Sequence, residues 1–234
     1  MERKVFLIAV AGGSGTRMGT SVPKQFLEIG GKAILQMTIE RFTEACPGIK
    51  VITVLPAEHI QRWRAYCTEH NFICPQTLVE GGITRFHSVR AALGKVPDGA
   101  IVLIHDGVRP LISKSLIQRI LSKMDKARGV IPVMPCTDTL KLLDKGRDGS
   151  LSLSAGEAPD RSRVYGAQTP QAFRSEDIRK AYLQAFSTSF TDDASVASEM
   201  KIPLAFVEGE RYNMKITTPE DLAMAQALLP LLPA

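Results

Sequence analysis

The stretch Val5-Phe6-Leu7-Ile8-Ala9-Val10-Ala11-Gly12-Gly13-Ser14-Gly15-Thr16-Arg17-Met18-Gly19 decides the fold: an apolar run of strand length leads straight into a glycine-rich turn. A strand buried on both faces reads as such an unbroken run, and the loop at its carboxyl end is where an open α/β sheet places its ligand crevice. Glycines there let backbone N–H groups close on phosphate oxygens. Arg3 and Lys4 ahead of the run also suit a secretory signal, but a buried strand explains the apolar residues and the glycines together. The loop fails the dinucleotide pattern G-x-G-x-x-G, which needs glycine where Met18 stands, and the P-loop pattern occurs nowhere in the chain. It brings its own cations, Arg17 and then Lys24 in Pro23-Lys24-Gln25-Phe26, and such groups beside glycine amides suit a triphosphate. The plain alternative is a glycine-rich turn with two solvated cations.

Outward from that loop, short apolar runs alternate with longer amphipathic ones. Strands are predicted at Val5–Val10, Lys50–Leu55, Gln76–Val79, Ala100–His105, Gly129–Val133 and Pro203–Val207. Helices are predicted at Ala33–Ala45, Glu58–His70, Thr84–Lys95, Ser113–Lys126, Ser175–Phe186, Asp193–Met200 and Pro219–Leu229. This is the pattern of an α/β, doubly wound, mostly parallel sheet. The alternation stops after Pro135, where Leu140 to Leu153 holds two alternating segments around a Gly/Asp-rich turn, a β-hairpin inserted into the plan. A hairpin alone is marginal in water, so residues 136–168 form an arm that needs a partner surface, and a second subunit is the candidate. The expected organisation is one domain over residues 1–234 with this arm inserted.

Composition narrows the function. The 234 residues are 44% hydrophobic and 23% charged, enough for a full core and against a disordered chain. The excess of 29 Lys+Arg over 24 Asp+Glu is scattered, with no basic block or interleaved aromatics, so nucleic acid is not implied and a small anionic substrate suits it. No run reaches membrane-spanning length, and the four cysteines show neither C-x-x-C nor zinc-finger spacing. A soluble, cytoplasmic protein with reduced thiols and no structural zinc is expected, with Cys136 a buried thiol and the four histidines structural or exposed.

Other predicted strand ends carry chemistry too. Glu80-Gly81-Gly82-Ile83-Thr84-Arg85-Phe86-His87-Ser88 is a glycine pair leading into a helix, with Arg85 and Ser88 on one face. His105-Asp106-Gly107-Val108-Arg109-Pro110 places an acid, a glycine and a cation together, and Asn213-Met214-Lys215 precedes a helix capped by Thr218 with Pro219 at its first position.

Together these motifs resemble, almost end to end, the nucleotidyltransferase-fold cytidylyltransferases of sugar-alcohol phosphates. The resemblance is closest to the bacterial enzymes that act on 2-C-methyl-D-erythritol 4-phosphate in non-mevalonate isoprenoid biosynthesis. It rests on A-G-G-x-G-x-R-M with P-K-Q-F, G-G-x-x-R-x-x-S-V, H-D-x-x-R-P, D-T-x-K, T-P-Q-x-F, T-D-x-A-S and N-x-K-x-T-x-P-E-D-L in that order. It implies that Ala11, Gly12, Gly13, Arg17 and Lys24 hold the phosphates of CTP, and that Gly81, Gly82, Arg85 and Ser88 hold cytosine and ribose. It implies that Asp106 binds Mg²⁺ or orients the polyol, that Gly107 backs the substrate, and that Thr169, Thr191 and Lys215 contact the polyol phosphate. It further implies that Thr139, Arg109 and Arg161 reach the substrate from the neighbouring subunit of a homodimer built through the arm. Gly107-Val108 replaces a frequent Ala-Ala, and His87 stands where an acid is usual. Plain alternatives are a turn cap for Asp106 and a solvated loop charge for Arg161.

The reaction so implied needs no general base, because the attacking substrate phosphate is already mostly ionised at neutral pH. Arg17, Lys24 and Lys215 with Mg²⁺ would neutralise the charge that keeps two anions apart. A ribitol-5-phosphate cytidylyltransferase shares the nucleotide half of these motifs. A nicotinamide oxidoreductase is disfavoured by Met18 and by the lack of a ribose-binding acid about 20 residues on. A nucleotide-sensing scaffold would not need Arg17, Lys24, Asp106 and Lys215 together.

Overall fold

A computed structural model describes residues 3–13 and 22–231. The first half alternates as expected through β1 (Val5–Val10), a small pair β2 (Glu28–Ile29) and β3 (Lys32–Ala33), α1 (Ile34–Ala45), β4 (Lys50–Leu55), α2 (Ala57–Glu69), β5 (Gln76–Glu80), α3 (Arg85–Leu93), β6 (Ile101–Asp106) and α4 (Lys114–Met124). The second half runs through β7 (Gly129–Pro135), β8 (Leu143–Lys145), β9 (Leu151–Leu153), β10 (Tyr165–Ala167), β11 (Gln171–Arg174), α5 (Ser175–Ala181), α6 (Asp193–Glu199), β12 (Leu204–Glu208) and α7 (Pro219–Leu228).

The main sheet has eight strands. β5, β4, β1 and β6 lie side by side and parallel. The chain steps outward from β1 to β4 and β5, then crosses back to β6 on the far side of β1. This reversal makes a crevice at the carboxyl ends of β1 and β6, where Val10 pairs with Asp106. In β1 the two-residue period divides the core: Leu7 and Ala9 enter the cluster with α1, α2 and α4, and Ile8 enters the cluster with α3, α5 and α6. Helices on both faces thus bury both sides of the strand, which is why it reads as an unbroken apolar run.

Four strands were not predicted: β2 and β3 of the small pair, and β10 and β11 of the main sheet. β11 pairs antiparallel with β6 on one side and β7 on the other, while β10 continues antiparallel along β7 and β12 pairs parallel with it. The sheet is therefore mixed. β11 is short, follows Pro170 and carries Gln171 and Arg174, so it lacks the apolar run that marks its neighbours. The helix predicted to reach Phe186 ends at Ala181, because Tyr182 turns inward to stack on Phe86 at 4.7 Å.

The predicted hairpin is present: β8 and β9 pair antiparallel, Leu143 opposite Leu153. Its arm leaves and re-enters the sheet at one point, with the Cys136 N–H donating to Val164 O at 3.0 Å and Tyr165 opposite Pro135. Leu151 and Leu153 are 66% and 77% exposed in this chain. Cys136 corrects an expectation: it is half-buried, its Sγ 3.7 Å from Asp138 O, because it lies at the arm's root and not in the core. None of the four cysteines is in a disulfide. Among the described residues no helix is long and apolar enough to cross a membrane.

Phe173 of β11 is fully buried in the cluster that Ile8 enters. Phe173→Ala is expected to cost about 3–5 kcal/mol. The single tryptophan, Trp63, is also buried, its Nε1–H donating to Gln76 Oε1 at 2.9 Å, so its fluorescence in a urea titration reads the loss directly. A cost below about 1 kcal/mol would mean that β11 is not integral to the sheet.

Candidate active site

Three loops leave the carboxyl ends of β1, β5 and β6, and a backbone hydrogen bond ties each to the neighbouring strand. Ala11 N donates to Val54 O at 2.9 Å, Gly81 N to Leu55 O at 2.8 Å and Gly107 N to Val10 O at 2.9 Å. They surround a cavity of about 460 Å³. Of the residues anticipated from sequence, Ala11, Gly12, Gly13, Lys24, Gly82, Arg85, Ser88, Asp106 and Lys215 line it. Gly81, next to Gly82 in the chain, does not line it. Arg17 lies outside the described residues.

Asp106 is the electrostatic centre. It is 6% exposed, at the end of β6, and three cations converge on it: Arg109 Nε at 3.0 Å and Lys215 Nζ at 3.2 Å on Oδ2, and Arg85 Nε at 3.7 Å on Oδ1. Burial pushes its pKa up, but Arg85, Lys215 and Arg109 together hold the carboxyl far below the usual range. Arg85 is anchored from behind by the fully buried Asp193, its two terminal nitrogens meeting the two carboxylate oxygens at 2.8 and 2.7 Å. Tyr182 donates its hydroxyl to the same carboxylate at 2.5 Å, and burial together with the Asp193 charge raises the phenol well above its ordinary pKa.

The glycine pair is packed against the start of α3. Ser88 Oγ accepts from Gly82 N at 3.1 Å and donates to Thr84 O at 3.0 Å, and a Cβ on Gly82 would stand 2.4 Å from His87 Cβ. His87 meets the α3 cap residue, with Nδ1 2.8 Å from Thr84 Oγ1, and is not in the cavity lining. Gly107 has an equally local reason: a Cβ there would lie 2.9 Å from Leu35 Cδ1 and 3.1 Å from Ala11 Cβ.

The remaining anticipated residues divide. Arg109 is held within this chain, Nε on Asp106 and Nη1 donating to Asn213 O at 2.8 Å, and does not itself line the cavity. Thr169 is buried with its hydroxyl turned inward to the Asp106 N–H and His105, and it does not line the cavity. Thr191 is exposed just ahead of the α6 cap, Asp192. Thr139 and Arg161 are exposed on the arm, and Arg161 Nη1 donates to Thr137 O at 3.2 Å. Sequence reading missed Asp193, Tyr182 and Asn213 as site supports, although Asp193 stands inside the quoted T-D-x-A-S motif. It took His105 for a structural histidine; burial pushes that ring down to about 3, so it is neutral.

Among the described residues no three acids, histidines or cysteines gather into a metal cage. Asp106 is the one carboxylate among the described residues lining the cavity. Its Oδ1, which among the described residues faces Arg85 at 3.7 Å, fits a divalent cation as a protein ligand, with phosphate oxygens and water as further ones.

Known proteins resemble this chain along its length. The family model for 2-C-methyl-D-erythritol 4-phosphate cytidylyltransferase matches residues 5–230. The enzyme of that name from Bacteroides fragilis is 43% identical over 222 residues, 95% of this chain and 98% of its own. The crystal structure of the Francisella tularensis enzyme of that name superposes with a TM-score of 0.79 at 26% identity, covering 97% of this chain and all of the other. The 4-diphosphocytidyl-2C-methyl-D-erythritol synthase structure from Anaerococcus prevotii gives a TM-score of 0.78 at 28% identity, over 97% of this chain and 99% of its own.

Asp106→Asn removes the charge that Arg85, Lys215 and Arg109 share, so the variant is expected to be less stable at neutral pH. Because the folded-state pKa is depressed, the wild-type advantage is fully present above the unfolded value of about 3.9 and is lost as pH falls through the folded one. Urea unfolding at several pH values should give a constant gap between about pH 7 and 5 that narrows below about 4. A gap that widens in acid would contradict this charge arrangement.

Proposed function

The chain belongs to the 2-C-methyl-D-erythritol 4-phosphate cytidylyltransferase family, and from that membership we propose that its cavity transfers the cytidylyl group of CTP to 2-C-methyl-D-erythritol 4-phosphate. The products are 4-diphosphocytidyl-2-C-methyl-D-erythritol and pyrophosphate. The observation that carries this reading is the cluster Arg85, Arg109 and Lys215 around Asp106, set beside a glycine loop and Lys24 in one cavity. Such a site binds two anions and holds them together.

In the proposed reaction a phosphate oxygen of the polyol attacks the α-phosphorus of CTP, a new P–O bond forms, and the bond to the β-phosphate oxygen breaks as pyrophosphate leaves. The attacking phosphate is ionised near neutral pH, so no side chain has to take its proton. Backbone amides at Ala11, Gly12 and Gly13 with Lys24 and Arg17 hold the triphosphate. Gly81, Gly82 and Ser88 frame the cytosine, and Arg85 supports the nucleotide side while fixing Asp106. Lys215 stands between the anions, and alignment with charge neutralisation supplies the catalysis. Asp106 would give a divalent cation, Mg²⁺ in this reading, its protein ligand. When bound, that ion neutralises phosphate charge.

The chain acts as one domain whose 136–168 arm joins a second copy, bringing Thr139 and Arg161 to the partner's substrate, with Thr191 on the polyol side. The exposed Leu151 and Leu153, and a groove of about 760 Å³ beside Tyr165 and Phe206, support that pairing. With CTP as its substrate, the protein is placed in the cytoplasm.

Pyrophosphate release from CTP is expected with 2-C-methyl-D-erythritol 4-phosphate and not with ribitol 5-phosphate, and CTP should outperform ATP and UTP. Lys24→Ala and Lys215→Ala should each reduce turnover by about 10²–10³ with the fold intact. Wild-type turnover in either variant removes that lysine from the mechanism. Mixing Arg161→Glu with Asp106→Asn subunits should recover activity in the mixed dimers, because one of the two sites then holds both native residues; absence of recovery argues against shared sites.

A further inference from the structure

The turn from Asp106 to Arg109 carries two of the site's charges, and it is held from the side facing away from the cavity by His105. That ring is fully buried, 4.8 Å from Phe42. Its Nε2 lies 3.2 Å from Arg109 O; a carbonyl only accepts, so the ring proton is on Nε2. In a neutral imidazole Nδ1 is then bare, and the Thr169 hydroxyl 2.9 Å away must donate to it. The same hydroxyl oxygen accepts the Asp106 N–H at 3.1 Å. The donors run in one direction, from the Asp106 amide to Thr169, from Thr169 to His105, and from His105 to the Arg109 carbonyl. Arg109 N donates to Asp106 O at 3.1 Å and closes the ring. Asn213 fastens it to the next loop, its Nδ2 donating to Thr169 O at 2.8 Å while its own carbonyl accepts from Arg109.

Resting on the cytidylyl-transfer reading and deepening it, we propose that His105 is a positioning residue which, through the Thr169 hydroxyl, fixes the Asp106–Arg109 turn, and that only its Nε2–H tautomer completes this relay. Thr169 is reassigned with it. Its single proton is directed to His105, so the hydroxyl has none to offer a substrate phosphate, and Thr169 acts on the substrate through the Asp106 amide.

The test pairs kinetics with nitrogen NMR of the full-length protein. Thr169→Val and His105→Phe, the latter keeping a ring against Phe42, should each lower kcat by about 10–100-fold. Thr169→Ser, which keeps the hydroxyl, should stay close to wild type. KM for CTP should hold within about twofold, and the double variant should lose no more than the worse single variant, as expected for residues acting as one unit. Losses that multiply, or a Thr169→Val effect confined to the polyol phosphate KM, would mean direct and separate contacts and would overturn the relay. Imidazole ¹⁵N spectra of the wild type should show His105 protonated at Nε2 and bare at Nδ1; the opposite tautomer overturns the proposal whatever the kinetics. Should His105→Phe fail to fold, the Thr169 variants and the spectrum still decide. If the wild type releases no pyrophosphate from the two substrates, the transfer reading fails while the spectrum still judges the relay. If it is active and the losses multiply, the relay alone fails.

Discussion

The buried carboxylate of Asp106 is the constraint on which the rest of the site depends. Three cations within 3.7 Å of it would repel one another without that charge, and none of the three could be gathered so closely by solvent. The carboxylate sits on the last residue of β6, whose neighbour β1 feeds the glycine loop, so the strand pairing Val10–Asp106 sets the distance between the glycine-loop amides and the cations. Asp193 extends the arrangement backwards, giving Arg85 a rigid two-point hold that leaves only its Nε to face Asp106. Charge alternates outward from the core: acid, guanidinium, acid, ammonium. This order holds the groups in place, so that little reorganisation accompanies the arrival of two polyanions.

Much of this was legible in the sequence, for reasons that can be named. Buried parallel strands have to be apolar on both faces, so β1, β4 and β6 announce themselves, and helices such as α1 carry the apolar stripe that their packing requires. The glycine positions were readable because close backbone approach excludes a Cβ, as at Gly82. Asp106, Lys215 and Lys24 stood beside strand ends or capped helices, where α/β folds keep their chemistry.

What escaped reading depends on contacts distant along the chain. β11 is short and partly polar, and its place between β6 and β7 follows from the sheet as a whole and from no local pattern. Asp193 meets Arg85 across the fold and Tyr182 meets Asp193; the T-D-x-A-S motif contains Asp193, but no local pattern names either partner. Arg109 lies three residues from its partner Asp106, yet only the turn between them shows that the two side chains meet and that the carbonyl of Asn213 holds the guanidinium. The inward rotation of the Thr169 hydroxyl is likewise invisible to a motif, which records the residue type and not where its proton points.

The root of the arm has a wider consequence. Because the Cys136 amide meets the Val164 carbonyl and Tyr165 stands opposite Pro135, the excursion begins and ends at neighbouring backbones, and the sheet registers only those ends. Lengthening a loop closed in this way adds only about 0.6 kcal/mol per doubling. The hairpin tip is thus free to change in length and surface while the sheet at its root stays unchanged. An engineer could splice a longer or shorter hairpin between β8 and β9 and keep both Thr139 and Arg161.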